Sequence, residues 1–316
     1  MAEKKIIAVV GATGAQGGGL VRAILADKTG DYAVRAITRK PDSDKGKALA
    51  AAGATVVAGD ADNPATLDAA FAGAHGVFVV TNFWEHFSAE RELAQAAAMA
   101  RATRKAGNAH VVWSTLEDTR KWIPLSDPRV PNLHDKYKVA HFDSKGEADA
   151  IFAAEAAPTS YLVTSFYWDN FILFGMGPRH GEDGKLGIAW AAGGSPLPGI
   201  AAADIGACAY GVFRRGPAAA GQRFGICGEV LTGEQMAAAM GRHLGEAVSF
   251  TDIPFEIYRN LGFPGAEDMS NMFQVQSLFS KEFVANRSVE LARALNPGLQ
   301  NFDTWLSQNI RQIPIG

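Results

Sequence analysis

Two groups of residues in this chain have the types and spacing to do chemistry. The first is the run Gly11-Ala12-Thr13-Gly14-Ala15-Gln16-Gly17; the second is His141 and Lys145, four residues apart. A glycine-rich turn between a strand and a helix leaves backbone N–H groups facing a pyrophosphate, with the positive end of the helix dipole behind them. Glycine is needed because a Cβ would block either the turn or the approach of the phosphate. The implied chemistry is dinucleotide binding. About twenty residues on, where the ribose is read, the chain has Thr38-Arg39-Lys40 in place of Asp or Glu. A carboxylate would repel a 2′-phosphate, whereas a guanidinium grips one with two parallel hydrogen bonds, so Arg39 and Lys40 predict NADP(H) rather than NAD(H).

A hydride delivered to a carbonyl leaves an alkoxide that must be protonated. Dehydrogenases of the tyrosine–lysine type supply that proton from a tyrosine four residues before a lysine, one helical turn away on the same face. Here Lys145 stands at the lysine position, His141 at the tyrosine position, Tyr137 a turn earlier, and Ser114 where a catalytic serine follows the fifth strand. Two readings follow. In one, His141 is the acid, since an unperturbed imidazole titrates near ~6.5. In the other, the Lys145 charge keeps the imidazole neutral, Lys145 holds the nicotinamide ribose, and His141 is a satisfied polar residue. The remaining histidines have no ligand spacing, so no metal is expected.

These residues need a frame, and the apolar runs supply one. Strands are predicted at 6–10, 33–38, 55–58, 77–80, 110–113 and 160–164, alternating with helices at 45–52, 88–105 and 136–155, plus one capped by Asn63 ahead of Pro64. This is the pattern of a doubly wound parallel sheet of Rossmann type, α/β, with a smaller, mostly C-terminal α+β lobe. Ligands in such sheets sit at the carboxyl ends of the strands, which selects Gly11–Gly17, Thr38–Lys40, Asp60-Ala61, Thr81–Phe83, Ser114-Thr115 and Ser165–Asn170. Residues 116–135, with Pro124, Pro128 and Pro131, read as a long loop beside the nicotinamide end, expected to be mobile until the cofactor orders it. Further on, Asp204 is expected to cap a helix through Arg214, 222–227 to return as a seventh strand, and Thr232–Gln235 to form a capping box. The expected division is residues 1–170 with 204–228 as the NADP-binding domain, and 171–203 with 229–316 as a substrate or partner lobe.

The chain has 316 residues, 47% hydrophobic and 20% charged, enough for a substantial core. A net charge of −3 argues against nucleic acid as a partner. No apolar run has membrane-spanning length, and no leader precedes the first strand, so a cytoplasmic protein is expected. Cys208 and Cys227 lack metal or redox spacing and are expected to be reduced thiols.

Four segments, GATGAQGG at 11–18, VTNFWE at 80–85, AHFDSKGE at 140–147 and LGFPGAEDMSNMF at 261–273, resemble the NmrA-like branch of the atypical short-chain dehydrogenases, closest to its NADPH-sensing HSCARG proteins. The resemblance spans nearly the whole chain and weakens between Leu116 and Asp135. It implies that Gly11–Gln16, Arg39, Thr81, Asn82, Phe83, Lys145, Tyr167, Trp168, Asp169 and Asn170 line an NADP(H) site, with Asp60 and Ala61 near the adenine. It also implies a redox-sensing, regulatory role through a protein partner or homodimer. The aromatic residues after the fourth and sixth strands leave open an alternative: an NADPH-dependent reductase of a small apolar carbonyl, quinone or enone.

Overall fold

The apolar runs of the first half become the strands of one seven-stranded sheet. In the computed structural model, which describes residues 4–316, β1 is Lys5–Val9, β2 Tyr32–Thr38, β3 Thr55–Ala58, β4 Gly76–Val79, β5 His110–Thr115 and β6 Thr159–Val163. Met1–Glu3, where the absence of a leader was read, lie outside the described residues. Four short strands follow: β7 (Phe166–Tyr167), β8 (Arg179–His180), β9 (Leu186–Trp190) and β10 (Leu197–Ile200). Then β11, Arg223–Gly225, returns to the main sheet beside β6, where the sequence places a seventh strand. The sheet order is β3-β2-β1-β4-β5-β6-β11, and every pairing in it is parallel. The chain leaves β1 in one direction and resumes at β4 on its other side, so the ligand crevice of this topology lies between those two strands.

Both faces of the sheet are covered, as a parallel sheet requires. Alternate residues of β1 divide between the faces. Ile7 and Val9 face α1 (Ala15–Ala26), with α2 (Asp44–Ala51) beside β3. Ala8 faces α3 (Ala65–Phe71), α4 (Ala89–Lys105) and α5 (Ala140–Glu155). After the short α6 (Asn170–Leu173), α7 (Ala202–Arg215) packs directly on α1. Glycines allow that contact: a Cβ on Gly206 would lie 2.1 Å from the Leu20 nitrogen, and one on Gly19 2.5 Å from the Ala203 carbonyl.

A second core gathers the rest. It contains Ile188 and Trp190 of β9, Met236 and Met240 of α8 (Gly233–Leu244), and Phe273 of α10 (Ala266–Leu278), which follows α9 (Phe255–Arg259). β12 (Glu229–Leu231) and β13 (Val248–Asp252) complete two small three-stranded sheets there. Ile123, Val130, Val139 and Phe142 also join this core, so the proline-rich segment is packed, not free. Buried polar groups pin it. The Lys138 ammonium donates to the Asp127 and Val130 carbonyls, both at 2.6 Å; Asn271 donates to those of Pro131 and Lys138; and Arg287 pairs with Glu117. The expectation of a loop ordered only by cofactor is corrected accordingly.

Three predicted helix starts also change. Asn63 caps nothing: it bridges to Asp60, and Pro64 precedes α3 without a side-chain cap. Helix α5 begins at Ala140 rather than 136, because residues 138 and 139 donate to Asp143 in a turn. Asp204 lies inside the first turn of α7 and accepts from Asn296 and Gln300, while Asp169 accepts the Ala202 N–H at 2.8 Å. The Thr232–Gln235 capping box forms as read.

His110, at the start of β5 and 1% exposed, lies 2.8 Å from the Ser160 hydroxyl, and burial pushes its pKa down to about 4. The folded state therefore favours the neutral ring. Its contribution is complete above the unfolded value near ~6.5 and is lost as pH falls toward 4, roughly 3 kcal/mol at the limit. Urea unfolding between pH 7 and 4.5 should show His110→Gln losing less stability than the parent chain; parallel losses would rule out this histidine as the source.

Candidate functional site

The glycine turn is shaped for a phosphate. Gly11 has φ +64°, a conformation that side chains resist, and a Cβ on Gly17 would stand 2.4 Å from the Gly11 carbonyl. Gly14 precedes α1 in an extended conformation, no side chain caps the helix, and its first turn carries no acidic residue. The orphan N–H groups of Ala15 and Gln16 therefore have no side-chain anion competing for them. Gly14 and Ala15 lie open to solvent, Thr13 is half-buried, and Ala12 is buried. Beneath the turn, the Gln16 amide donates to the Tyr167 hydroxyl, whose phenol burial pushes up from its ordinary value. A dinucleotide fits this cradle.

Arg39 follows β2 directly, and its guanidinium is paired with Glu85 from the 3-10 turn Phe83–Glu85 after β4. Lys40 is exposed beside it. The Asp60 carboxylate accepts the Asp62 N–H, so it is engaged in its own loop next to Ala61. Asn82 is exposed and Phe83 buried. Of the residues after β6, Tyr167 reaches the glycine turn and Asp169 holds the start of α7. Asn170 opens α6. Trp168 is buried against Phe302 and Trp305, away from the turn.

The would-be catalytic residues are arranged otherwise than their spacing implies. The Lys145 ammonium donates to the Thr81 carbonyl at 3.2 Å, to Thr81 Oγ1 at 2.6 Å and to Glu92 Oε1. Those three acceptors use its three N–H groups, leaving none for a ribose hydroxyl. Thr81 Oγ1 in turn donates to Glu92 Oε1 at 2.5 Å, and Glu92 is fully buried. Ser114 is buried at the end of β5, but it is Thr115 that approaches α5, 3.3 Å from the Lys145 carbonyl and 2.6 Å from Asp149.

His141 has a partner the spacing could not reveal. Its Nδ1 bonds Asp268 of α10, and the same carboxylate accepts the Ala140 N–H at 2.5 Å and the His141 N–H at 3.4 Å. Asp268 thus caps α5 from another helix while fixing the imidazole with its proton on Nδ1. Trp84, Phe142 and Phe83 pack around the ring at 4.6, 4.8 and 5.9 Å, and His141 is 5% exposed. Two residues along, Asp143 accepts from Thr119, Lys138 and Val139, and burial pushes its carboxyl up against those donors.

Glu92 and Asp268 escape a reading of the sequence for different reasons. Glu92 had a signal: a lone carboxylate on the α4 face of Ala89, Ala96, Met99 and Thr103. Asp268 had none, since its partner is 127 residues away. Both cysteines are buried, and burial raises both thiols, Cys227 to about 11, so neither is a ready thiolate. Among the described residues no cluster of metal-ligating side chains occurs, and no helix is long and apolar enough to cross a membrane.

Residues 3–306 match the model of the NmrA-like family. A Cladobotryum protein named as an NmrA-like family domain-containing oxidoreductase, FrzB, is 28% identical over 293 residues, 85% of this chain and 82% of its own. A crystal structure of NmrA, a negative transcriptional regulator, in complex with NADP superposes with a TM-score of 0.76 at 22% identity, covering 99% of this chain and 96% of that one. The triphenylmethane reductase of Citrobacter sp., complexed with NADP(H), gives 0.74 at 20% identity, over 98% and 100%. These two likenesses are of fold.

Removing one partner of the buried pair leaves an uncompensated charge, at a cost of about 3–5 kcal/mol. Glu92→Ala should lose that much stability in urea unfolding. Glu92→Leu combined with Lys145→Met, which removes both charges, should recover most of it.

Proposed function

The chain belongs to the NmrA-like family, and we propose that it is an NADP(H)-binding regulator whose output is a bound state rather than turnover. One observation carries this reading. The phosphate cradle is open and uncapped, while the cation that proton delivery would require is spent inside the fold on Thr81 and Glu92. In this reading Gly11–Gly17 and the start of α1 hold the pyrophosphate, and Arg39 with Lys40 holds the 2′-phosphate. Asp60, Ala61, Asn82 and Tyr167 stand at the crevice between these strand ends. Lys145 acts as a positioning residue, fixing the end of β4 against α4 and α5. The cofactor, when bound, reports the cell's reducing state by its occupancy of the site. With both thiols buried, redox sensing rests on the cofactor. A partner protein or second copy would read the smaller lobe, residues 171–203 with 229–316.

The His141–Asp268 pair favours a second reading, an NADPH-dependent reductase of a small apolar carbonyl, quinone or enone. With Nδ1 held by the carboxylate, Nε2 is the ring atom left to exchange a proton with a substrate, the role of a general acid–base. The family likeness to proteins named oxidoreductases supports it. Trp84 and Phe83 over the ring would have to part to admit a substrate.

Calorimetric titration should find NADPH at least ~10-fold tighter than NADH, the equivalent of one charge-assisted phosphate contact. Arg39→Ala should erase most of that preference and leave NADH nearly unchanged. NADPH oxidation against a panel of quinones, aldehydes and enones should stay below ~1 s⁻¹, the low end for enzymes. Faster, substrate-dependent turnover that collapses in His141→Ala would replace the regulator reading with the reductase.

A further inference from the structure

Resting on the NADP(H) reading, we propose that Glu85 is a built-in competitor for Arg39. The 2′-phosphate must displace it, so Glu85 sets how strongly the chain prefers NADP(H) to NAD(H). The two side chains come from crossovers on opposite sides of β1, 46 residues apart, and meet over the crevice that a dinucleotide would span. Phosphate and carboxylate want the same donor, since a guanidinium presents one planar fork to either.

Neighbouring charges single out Glu85. Asp62 is already neutralised by Arg91, at 2.6 and 3.1 Å, and accepts the Gln95 amide at 2.9 Å. Asp60 is engaged by the Asp62 N–H. Lys40 makes no ion pair among the described residues and remains on the same strand end as a second cation for the phosphate. The Arg39–Glu85 pair is half exposed, at 53% and 41% of the side chains, and water screens such pairs to little net energy. It is therefore displaceable by a doubly charged phosphate.

Displacement does not remove the carboxylate. Trp84, next in sequence, packs on the His141 ring at 4.6 Å and lies against Gly265, so the turn that carries Glu85 is anchored at the second lobe. A displaced Glu85 stays close to the incoming phosphate and repels it. The native glutamate thereby raises the NADP(H) concentration at which the site fills, while NAD(H), with nothing to offer Arg39, is indifferent to it.

The test is calorimetric titration of NADPH and NADH into the parent chain, Glu85→Gln, Arg39→Ala and the double variant. Glu85→Gln should tighten NADPH about three- to fivefold, the scale of one exposed ion pair, and leave NADH within about 1.5-fold. In the Arg39→Ala background the same change should gain clearly less, since no ion pair has to be broken and only the repulsion of the phosphate is relieved. If Arg39→Ala collapses the NADPH preference but Glu85→Gln leaves it unchanged or weakens NADPH binding, the competitor role is overturned and the NADP(H) reading stands. If Arg39→Ala itself leaves the preference intact, or NADPH does not bind, the cofactor reading fails and the competitor role falls with it.

Discussion

A buried ammonium is the constraint around which the centre of this molecule is organised. Lys145 lies on the face of α5 that packs against the sheet, where an unpaired charge would cost several kcal/mol. The fold meets that demand from two other elements: Thr81 at the end of β4 and Glu92 on α4. The ion pair thus fixes where β4 ends relative to both helices, and with it the start of the segment Asn82–Ser88 that crosses to Arg39. A residue at a position associated with chemistry has become a structural tie. The same desolvation that makes the tie necessary takes its hydrogen bonds away from any ligand.

The start of α5 follows the same logic with the charges reversed. No side chain at Val139 can cap the helix, so its first N–H groups are met by Asp143 from within and by Asp268 from α10. Asp268 therefore docks the second lobe onto the first through hydrogen bonds that cannot be left unmade in the interior. It holds His141 in one tautomer in the process. Structural need and a chemically competent imidazole share one carboxylate, so the histidine's geometry alone does not make it an acid. The aromatic rings of Trp84 and Phe142 enclose it further.

The segment from Leu116 to Asp135 shows how far composition can mislead about order. Its prolines and charges read as a free loop. Two of its apolar residues, Ile123 and Val130, are fully buried, and Lys138 and Asn271 satisfy its carbonyls from outside. Those partners come from residues that do not look like loop anchors in a linear reading.

What the sequence determined by itself is local or periodic. The glycine turn, the alternation of strands and helices, the seventh strand at Arg223–Gly225, the Thr232 capping box and the cation after β2 are written in residue types a few positions apart, because turn sterics, helix capping and two-sided strand burial act over those distances. Which charge meets which was decided only in three dimensions. Arg39 with Glu85, Lys145 with Glu92 and His141 with Asp268 are separated by 46, 53 and 127 residues. Each partner is chosen by the cost of burying or exposing a charge once the sheet and helices have brought those positions together, and no spacing rule along the chain encodes that choice.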